Sequence, residues 1–151
     1  MPAKYFAEYS GEAYDRLQPI KIEHYTFYHQ LVLDFVPFES SKAFRFMDLG
    51  CGTGNFLTSV LEKYPQSSCL AFDYTDEMLS YVSHKNSDRF DRIEFVQGDL
   101  NKGLPENIGT FSFISAFSSI HHLTDENKQR ILKQIYANLD PGGWFFIIDK
   151  K

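Results

Sequence analysis

Five short apolar runs recur along the chain, at 44–49, 69–73, 93–97, 110–117 and 144–149. Their Phe, Ile and Val content suits strands buried on both faces. The stretches between them carry apolar residues at helical period. Phe56, Leu57, Val60, Leu61 and Tyr64 fall on one helical face, and Pro65 stops that helix. Thr75 is placed to cap the next helix, with Asp76 and Glu77 in its positive first turn. Thr124 is placed to cap another, with Ile131, Leu132, Ile135 and Leu139 as its inner face. That helix runs into Asp140-Pro141-Gly142-Gly143, a strong turn signal. Strands alternating with helices predict an α/β fold: a three-layer α/β/α sandwich around a mostly parallel sheet of about five strands.

Some 40 residues precede the first run. Ile22, Tyr25, His29, Val32, Leu33 and Val36 recur at helical spacing up to Pro37. An earlier helical stretch, about 4–17, carries Tyr5, Phe6, Tyr9 and Tyr14. The expectation is one domain overall, with an N-terminal helical part at 1–40 and a core at 41–151. No repeat, low-complexity tract or linker interrupts it.

Composition changes this picture little. A chain of 151 residues is long enough for one real core. The aromatic share, 17%, is high and is assigned to that core. Net charge is −5 with no basic block, which argues against a nucleic-acid partner. Cys51 and Cys69 are too few for a disulfide framework or a zinc knuckle, and fit a reducing compartment. No apolar run reaches the length of a membrane span, and residues 1–17 hold no secretory h-region. These readings predict a cytoplasmic protein with no membrane and no nucleic-acid partner.

The candidate chemistry starts at Asp48-Leu49-Gly50-Cys51-Gly52-Thr53-Gly54. A buried strand ends in an acid, then in three glycines at alternate positions, and a helix follows. Glycine permits the sharp turn and lets a ligand lie against the main chain. The helix N-terminus offers free N–H groups and partial positive charge. A dinucleotide fingerprint, G-x-G-x-x-G, would place its third glycine at Asn55; here it is Gly54. This D-L-G-C-G-T-G resembles the first motif of the class I S-adenosylmethionine-dependent methyltransferases. The resemblance implies a Rossmann-like fold and S-adenosylmethionine as cofactor, with S-adenosylhomocysteine as product. It runs from about Tyr14 to the chain end and includes L-D-P-G-G-W at 139–144.

Ligands of a doubly wound sheet bind at the carboxyl ends of the strands. Asp73, after the second run, is an acceptor for both ribose hydroxyls. The resemblance gives Asp99 the adenine amino group, and Leu100 and Met78 the faces of the ring. It gives Asp48 the amino group of the methionine end and the orientation of the glycine loop, whose Gly50, Cys51 and Gly52 offer backbone. Tyr74 and Phe117 complete the expected cofactor-binding set with Tyr14 and Arg16, which the resemblance places on the covering N-terminal helices. Phe117-Ser118-Ser119-Ile120-His121-His122 would lie beside the sulfonium. His122 is the candidate general base, and His121 is read as a support for the loop. Two adjacent histidines without further ligands at metal spacing do not predict a metal site.

The implied activity is methyl transfer to a small-molecule acceptor. The resemblance also implies two further strands and a helix after the fifth strand, where this chain ends at Lys151. Two alternatives stand beside it: a module that binds S-adenosylmethionine without catalysis, and a nicotinamide-dependent oxidoreductase. The apolar fifth run would leave a bare edge, which predicts either pairing of two copies as a homodimer or a chain that is a fragment of a longer protein.

Overall fold

The structure, a computed structural model, describes residues 11–21 and 24–149. Two helices, α1 (Gly11–Lys21) and α2 (Tyr25–Phe35), lead into β1 (Arg45–Leu49) and α3 (Asn55–Lys63). Then follow β2 (Ser68–Asp73), α4 (Asp76–Lys85), a 3-10 turn at Ser87–Arg92, β3 (Ile93–Gln97), β4 (Phe111–Phe117), α5 (Asp125–Ala137) and β5 (Leu139–Ile148). All four pairings are parallel, in the order β3-β2-β1-β4-β5.

Adjacent strand residues point to opposite faces, and that alternation sorts the core into two layers. Phe46, Cys69, Ala71 and Phe113 pack with Val32, Leu33, Phe56, Val60, Leu79 and Val82 of α2, α3 and α4. Met47, Leu70, Phe72 and Ile114 pack with Ile131 and Ile135 of α5. Burying a side chain of this size contributes about 1.5–3 kcal/mol. β1, β2 and β4 are buried along nearly their whole length; β3 and β5, with one neighbour each, are not. Thr75 accepts from the Met78 N–H and Thr124 from the Asn127 N–H, so both caps form as expected.

Three details depart from the sequence pattern. α1 extends to Lys21 with Pro19 in its last turn, whereas the pattern ended it near Leu17; Tyr5, Phe6, Tyr9 and Ile22 lie outside the described residues. Leu132 is 45% exposed, because the face set by Ile131 and Ile135 turns it away from the sheet. β5 begins at Leu139, yet the ladder skips from Leu139 to Trp144 while β4 advances only from Phe111 to Phe113. The Asp140-Pro141-Gly142-Gly143 turn is thus an excursion within the strand. Among the described residues, no helix is long and apolar enough to cross a membrane.

Candidate functional site

The loop between β1 and α3 is held open by its glycines. Gly50, Gly52 and Gly54 have φ of 68°, 53° and 74°, the left-handed region that side chains rarely adopt. Gly50 and Cys51 donate to the Phe72 carbonyl at 2.8 and 3.0 Å, which ties the loop to β2. A Cβ on Gly50 would lie 2.5 Å from the Ser119 Cβ. At Gly52 the nearest atom would be Tyr14 Cε1 at 3.7 Å, so the space above it is open. The loop, the strand ends, α1 and α2 enclose a cleft of about 290 Å³. That is near the lower end of ligand-sized sites.

Three carboxylates enter the cleft from consecutive strands. Asp73 ends β2 and accepts from the Gly52 N–H at 2.9 Å, the Thr75 N–H at 3.0 Å and the Thr75 hydroxyl at 3.3 Å. Its pKa is raised by burial, against these hydrogen bonds. One lone-pair position on Oδ2 remains for a ligand hydroxyl. Asp48 of β1 is 2% exposed and accepts from the Ser115 hydroxyl at 2.8 Å. Burial pushes it up to about 7; the Ser115 bond opposes this and Asp73 adds to it. Asp99, just past β3, accepts from the backbone and side-chain N–H groups of Asn101 at 2.9 and 3.1 Å. Burial also raises the Cys51 thiol, which leaves the backbone as what this residue offers.

The loop after β4 closes the far side. Ser118 adopts φ 53° and donates to the Ile148 carbonyl at 2.7 Å; the Ser119 hydroxyl donates to the Leu49 carbonyl at 2.9 Å. Asp149 gathers this loop: it accepts from the Ile120 and His121 N–H groups at 3.0 and 2.8 Å, and its other oxygen meets His121 Nδ1. The His122 ring lies 3.7 Å from that of His121 and lines the cleft.

A polar cluster fixes the helical cover to the loop. Lys85 Nζ donates to Asp15 at 3.1 Å, to the Thr53 carbonyl at 3.3 Å and to Asn55 Oδ1. Asn55 donates to Asp15 and to the Tyr25 hydroxyl, and the Tyr81 hydroxyl donates to Asp15. Burial pushes Tyr25 up to about 12.

Tyr14, Asp48, Gly50, Cys51, Gly52, Asp73, Tyr74, Met78, Asp99, Leu100, Phe117 and His122 all line the cleft. Arg16 is the exception among the expected residues. Its guanidinium pairs with Glu12 one helical turn back, and its side chain is 77% exposed. The period of α1 that turns Tyr14 inward carries Arg16 outward. Gln18, Tyr25, Tyr28, His29 and Asn55 also line the cleft and were not singled out, and Ser118 and Ser119 line it within the segment expected beside the sulfonium. The 25, 28, 29 spacing on α2 marks an inner face, but only the crossing of α2 over the strand ends makes that face part of the cleft. Among the described residues, no group of three or more His, Cys, Asp or Glu is arranged to hold a metal.

Residues 46–143 match the family model of a methyltransferase domain. Malonyl-[acyl-carrier protein] O-methyltransferase of Halalkalibacterium halodurans is 37% identical over 99 residues, 64% of this chain and 35% of that protein. The structure of PKMT2 from Rickettsia typhi in complex with AdoHcy aligns with TM-score 0.62 and 26% identity, covering 69% of this chain and 20% of that one. The DhpI-SAM-HEP complex shares the fold, with TM-score 0.74 at 17% identity over 97% of this chain and 63% of that one. The chain spans 34% to 49% of the length of the first curated relatives it matches. None of these comparisons supports a nicotinamide-dependent oxidoreductase. A glycine loop at the end of β1, acids at the next two strand ends and a family match across both place the chain in one family: it belongs to the class I S-adenosylmethionine-dependent methyltransferases.

Proposed function

We propose that the chain binds S-adenosylmethionine in this cleft and transfers its methyl group to a small-molecule acceptor. The observation that carries the reading is the row of three carboxylates, Asp99, Asp73 and Asp48, on strands that lie side by side as β3, β2 and β1. Each is an acceptor, and the cofactor presents donors in that sequence: an adenine amino group, ribose hydroxyls and an ammonium. The open space above Gly52 accommodates a ligand that a side chain there would exclude. Met78 and Leu100 supply apolar faces for the ring.

When bound, S-adenosylmethionine supplies a methyl group made electrophilic by its sulfonium. The chain's own part is alignment and exclusion of water. Alignment alone is worth up to about 7–11 kcal/mol in the best intramolecular cases. Asp73 also grips the Gly52 N–H, so the group that would hold the ribose shapes the loop beneath it. α1 and α2 act as the cap of residues 1–40 over the 41–151 core, latched through Asp15, Asn55 and Lys85. His122 is the candidate base on the β4 side. Arg16, directed to solvent, takes no part in this reading.

Two free, buried cysteines suit work in the cytoplasm. Among the described residues β5 pairs only with β4, and its Trp144 and Ile147 are 46% and 49% exposed. That edge supports association of two copies through β5. Sedimentation at micromolar concentration tests this, and a monomer that stays monomeric on concentration removes it.

The function is tested by calorimetry with S-adenosylhomocysteine and, in parallel, NADH. Binding of the first alone is expected, with a stabilisation of about 2.7 kcal/mol at a hundredfold excess over the dissociation constant. Preference for NADH would defeat the reading. Tight binding with no turnover across a panel of acceptors would favour the module that binds without catalysis.

A further inference from the structure

The sheet order fixes a direction along the cleft. Asp99, Asp73 and Asp48 occupy the β3, β2 and β1 positions, and the wall continues with Phe117 at the end of β4 and Ile148 at the end of β5. If the acids hold the cofactor from adenine to ammonium, the β4–β5 side is left for the acceptor.

His29 of α2 stands over that side. Its ring lies 5.0 Å from Phe117, 5.7 Å from Phe56 and 4.2 Å from Tyr25. It lines the cleft, and among the described residues nothing hydrogen-bonds its ring nitrogens. Burial pushes its pKa down to about 4, so at neutral pH the ring is uncharged and one nitrogen is a hydrogen-bond acceptor. A half-buried polar group with no protein partner is completed by water or by a ligand. The rest of the wall is selective as well. Among the described residues that line the cleft there are three aspartates and no Lys or Arg. These side chains offer an anionic acceptor no countercharge and set it near like charges, so any positive charge it met would be the cofactor's own.

We propose that His29 receives the O–H or N–H hydrogen of the methyl acceptor, and that this acceptor is an uncharged aromatic molecule bearing a hydroxyl or amino group rather than a carboxylate or phosphate. The proposal rests on the methyl-transfer reading. A ring with so low a proton affinity does not ionise the acceptor beforehand. It accepts the hydrogen bond and thereby directs the oxygen or nitrogen lone pair. As that atom bonded the methyl carbon, the C–S bond would break with its electron pair returning to sulfur, and the acidified O–H or N–H proton would pass through His29 to water. Tyr25, Phe56 and Phe117 provide the aromatic walls. His29 also borders the space between α1, α2 and α3, so it separates the acid-lined cleft from the outer face of the cap.

The experiment uses the chain saturated with S-adenosylhomocysteine, with phenol, aniline and benzoate as probes. Ligand titration and the 15N resonances of the histidine rings are the readouts. Phenol or aniline should bind and move the His29 resonances, with benzoate weaker by about tenfold or more. His29→Phe keeps the packing and removes the acceptor, and should lose about tenfold in affinity for the bound probe, roughly the worth of one hydrogen bond. His29→Gln restores a carbonyl acceptor and should recover part of that loss. S-adenosylhomocysteine affinity should stay within about twofold in both variants. Preferred binding of benzoate, an unmoved His29 resonance, or equal phenol affinity in the wild type and His29→Phe overturns the proposal. The wild-type resonances decide it even if His29→Phe does not fold. Failure of the wild type to bind S-adenosylhomocysteine overturns the methyl-transfer reading beneath it.

Discussion

The two ends of the cleft are built by different physics. At the β3–β1 end, carboxylates sit on strand ends or directly after them. Their positions are fixed by sheet register and by backbone hydrogen bonds such as Gly52 N–H to Asp73. At the β4–β5 end the loop after β4 is joined by helix side chains, Tyr25, Tyr28 and His29, on a cover that the Asp15–Asn55–Lys85 cluster holds through Tyr25. The first end cannot shift without disturbing the sheet. The helical cover of the second depends on one side-chain network between elements distant in sequence. A rigid end suits a ligand that never changes, and an adjustable end suits an acceptor that differs from one relative to another.

The largest expected effect strikes the rigid end. Gly50→Val places a branched side chain at φ 68° and against Ser119. Left-handed strain of about 1–2 kcal/mol and overpacking of about 1–3 kcal/mol should add up to a severe loss of stability in urea titration. Near-wild-type stability would mean that the loop is adjustable after all, and the contrast between the ends would fail.

The pH dependence sharpens the contrast, because the two ends have opposite signs. The folded chain keeps a proton on Asp48 up to about pH 7, whereas the ordinary value is 3.8. The unfolded chain releases that proton first, so this contribution is fully present below about pH 4 and is lost as pH rises to about 7. Asp73 acts in the same direction. His29 is lowered from 6.5 to about 4, so its contribution is present above about pH 6.5 and is lost as pH falls toward 4. Asp48→Asn should therefore stabilise the chain near pH 8, by on the order of a few kcal/mol, and remove its share of the fall between about pH 4 and 7, leaving the rise from His29 opposed by Asp73. His29→Phe should leave the falling limb. Urea unfolding between pH 4 and 8 reads both, and parallel profiles for the two variants would refute the opposition.

Asp73→Ala is expected to have a smaller effect on binding. Losing hydrogen bonds to a charged acceptor, at roughly 1.5–3 kcal/mol, lowers S-adenosylhomocysteine affinity about ten- to a hundredfold. Unchanged affinity in calorimetry would take Asp73 out of the site. Smaller still is Lys85→Met, which breaks the latch of the adjustable end. Removing one partner of this partly buried pair should cost roughly 1–3 kcal/mol. Hydrogen exchange should quicken in α1 and stay slow in β1 and β4. Equal loosening of the sheet would mean that the cap and the core are one cooperative unit.

Much of this was legible in the sequence. The five apolar runs, the alternation with helical period and the acid before three spaced glycines are local patterns. The chemistry that reads them is local too: strand alternation, caps such as Thr75 and Thr124, and φ values open to glycine. They were enough to predict a parallel α/β sheet and, together with the family resemblance of the glycine motif, to name twelve of the residues that line the cleft. Tertiary structure decided the rest. Whether Arg16 faces in or out depends on the rotation of α1, and a single helical turn gave its charge to Glu12. The part played by His29 depends on α2 crossing the ends of strands that lie 15 residues or more further along the chain. That Lys85 reaches Asp15, across 70 positions, follows from no local preference. Local sequence sets what each segment prefers to be. The angle and rotation at which segments meet are fixed only by burying their apolar faces against one another, and that placed the side chains at the adjustable end.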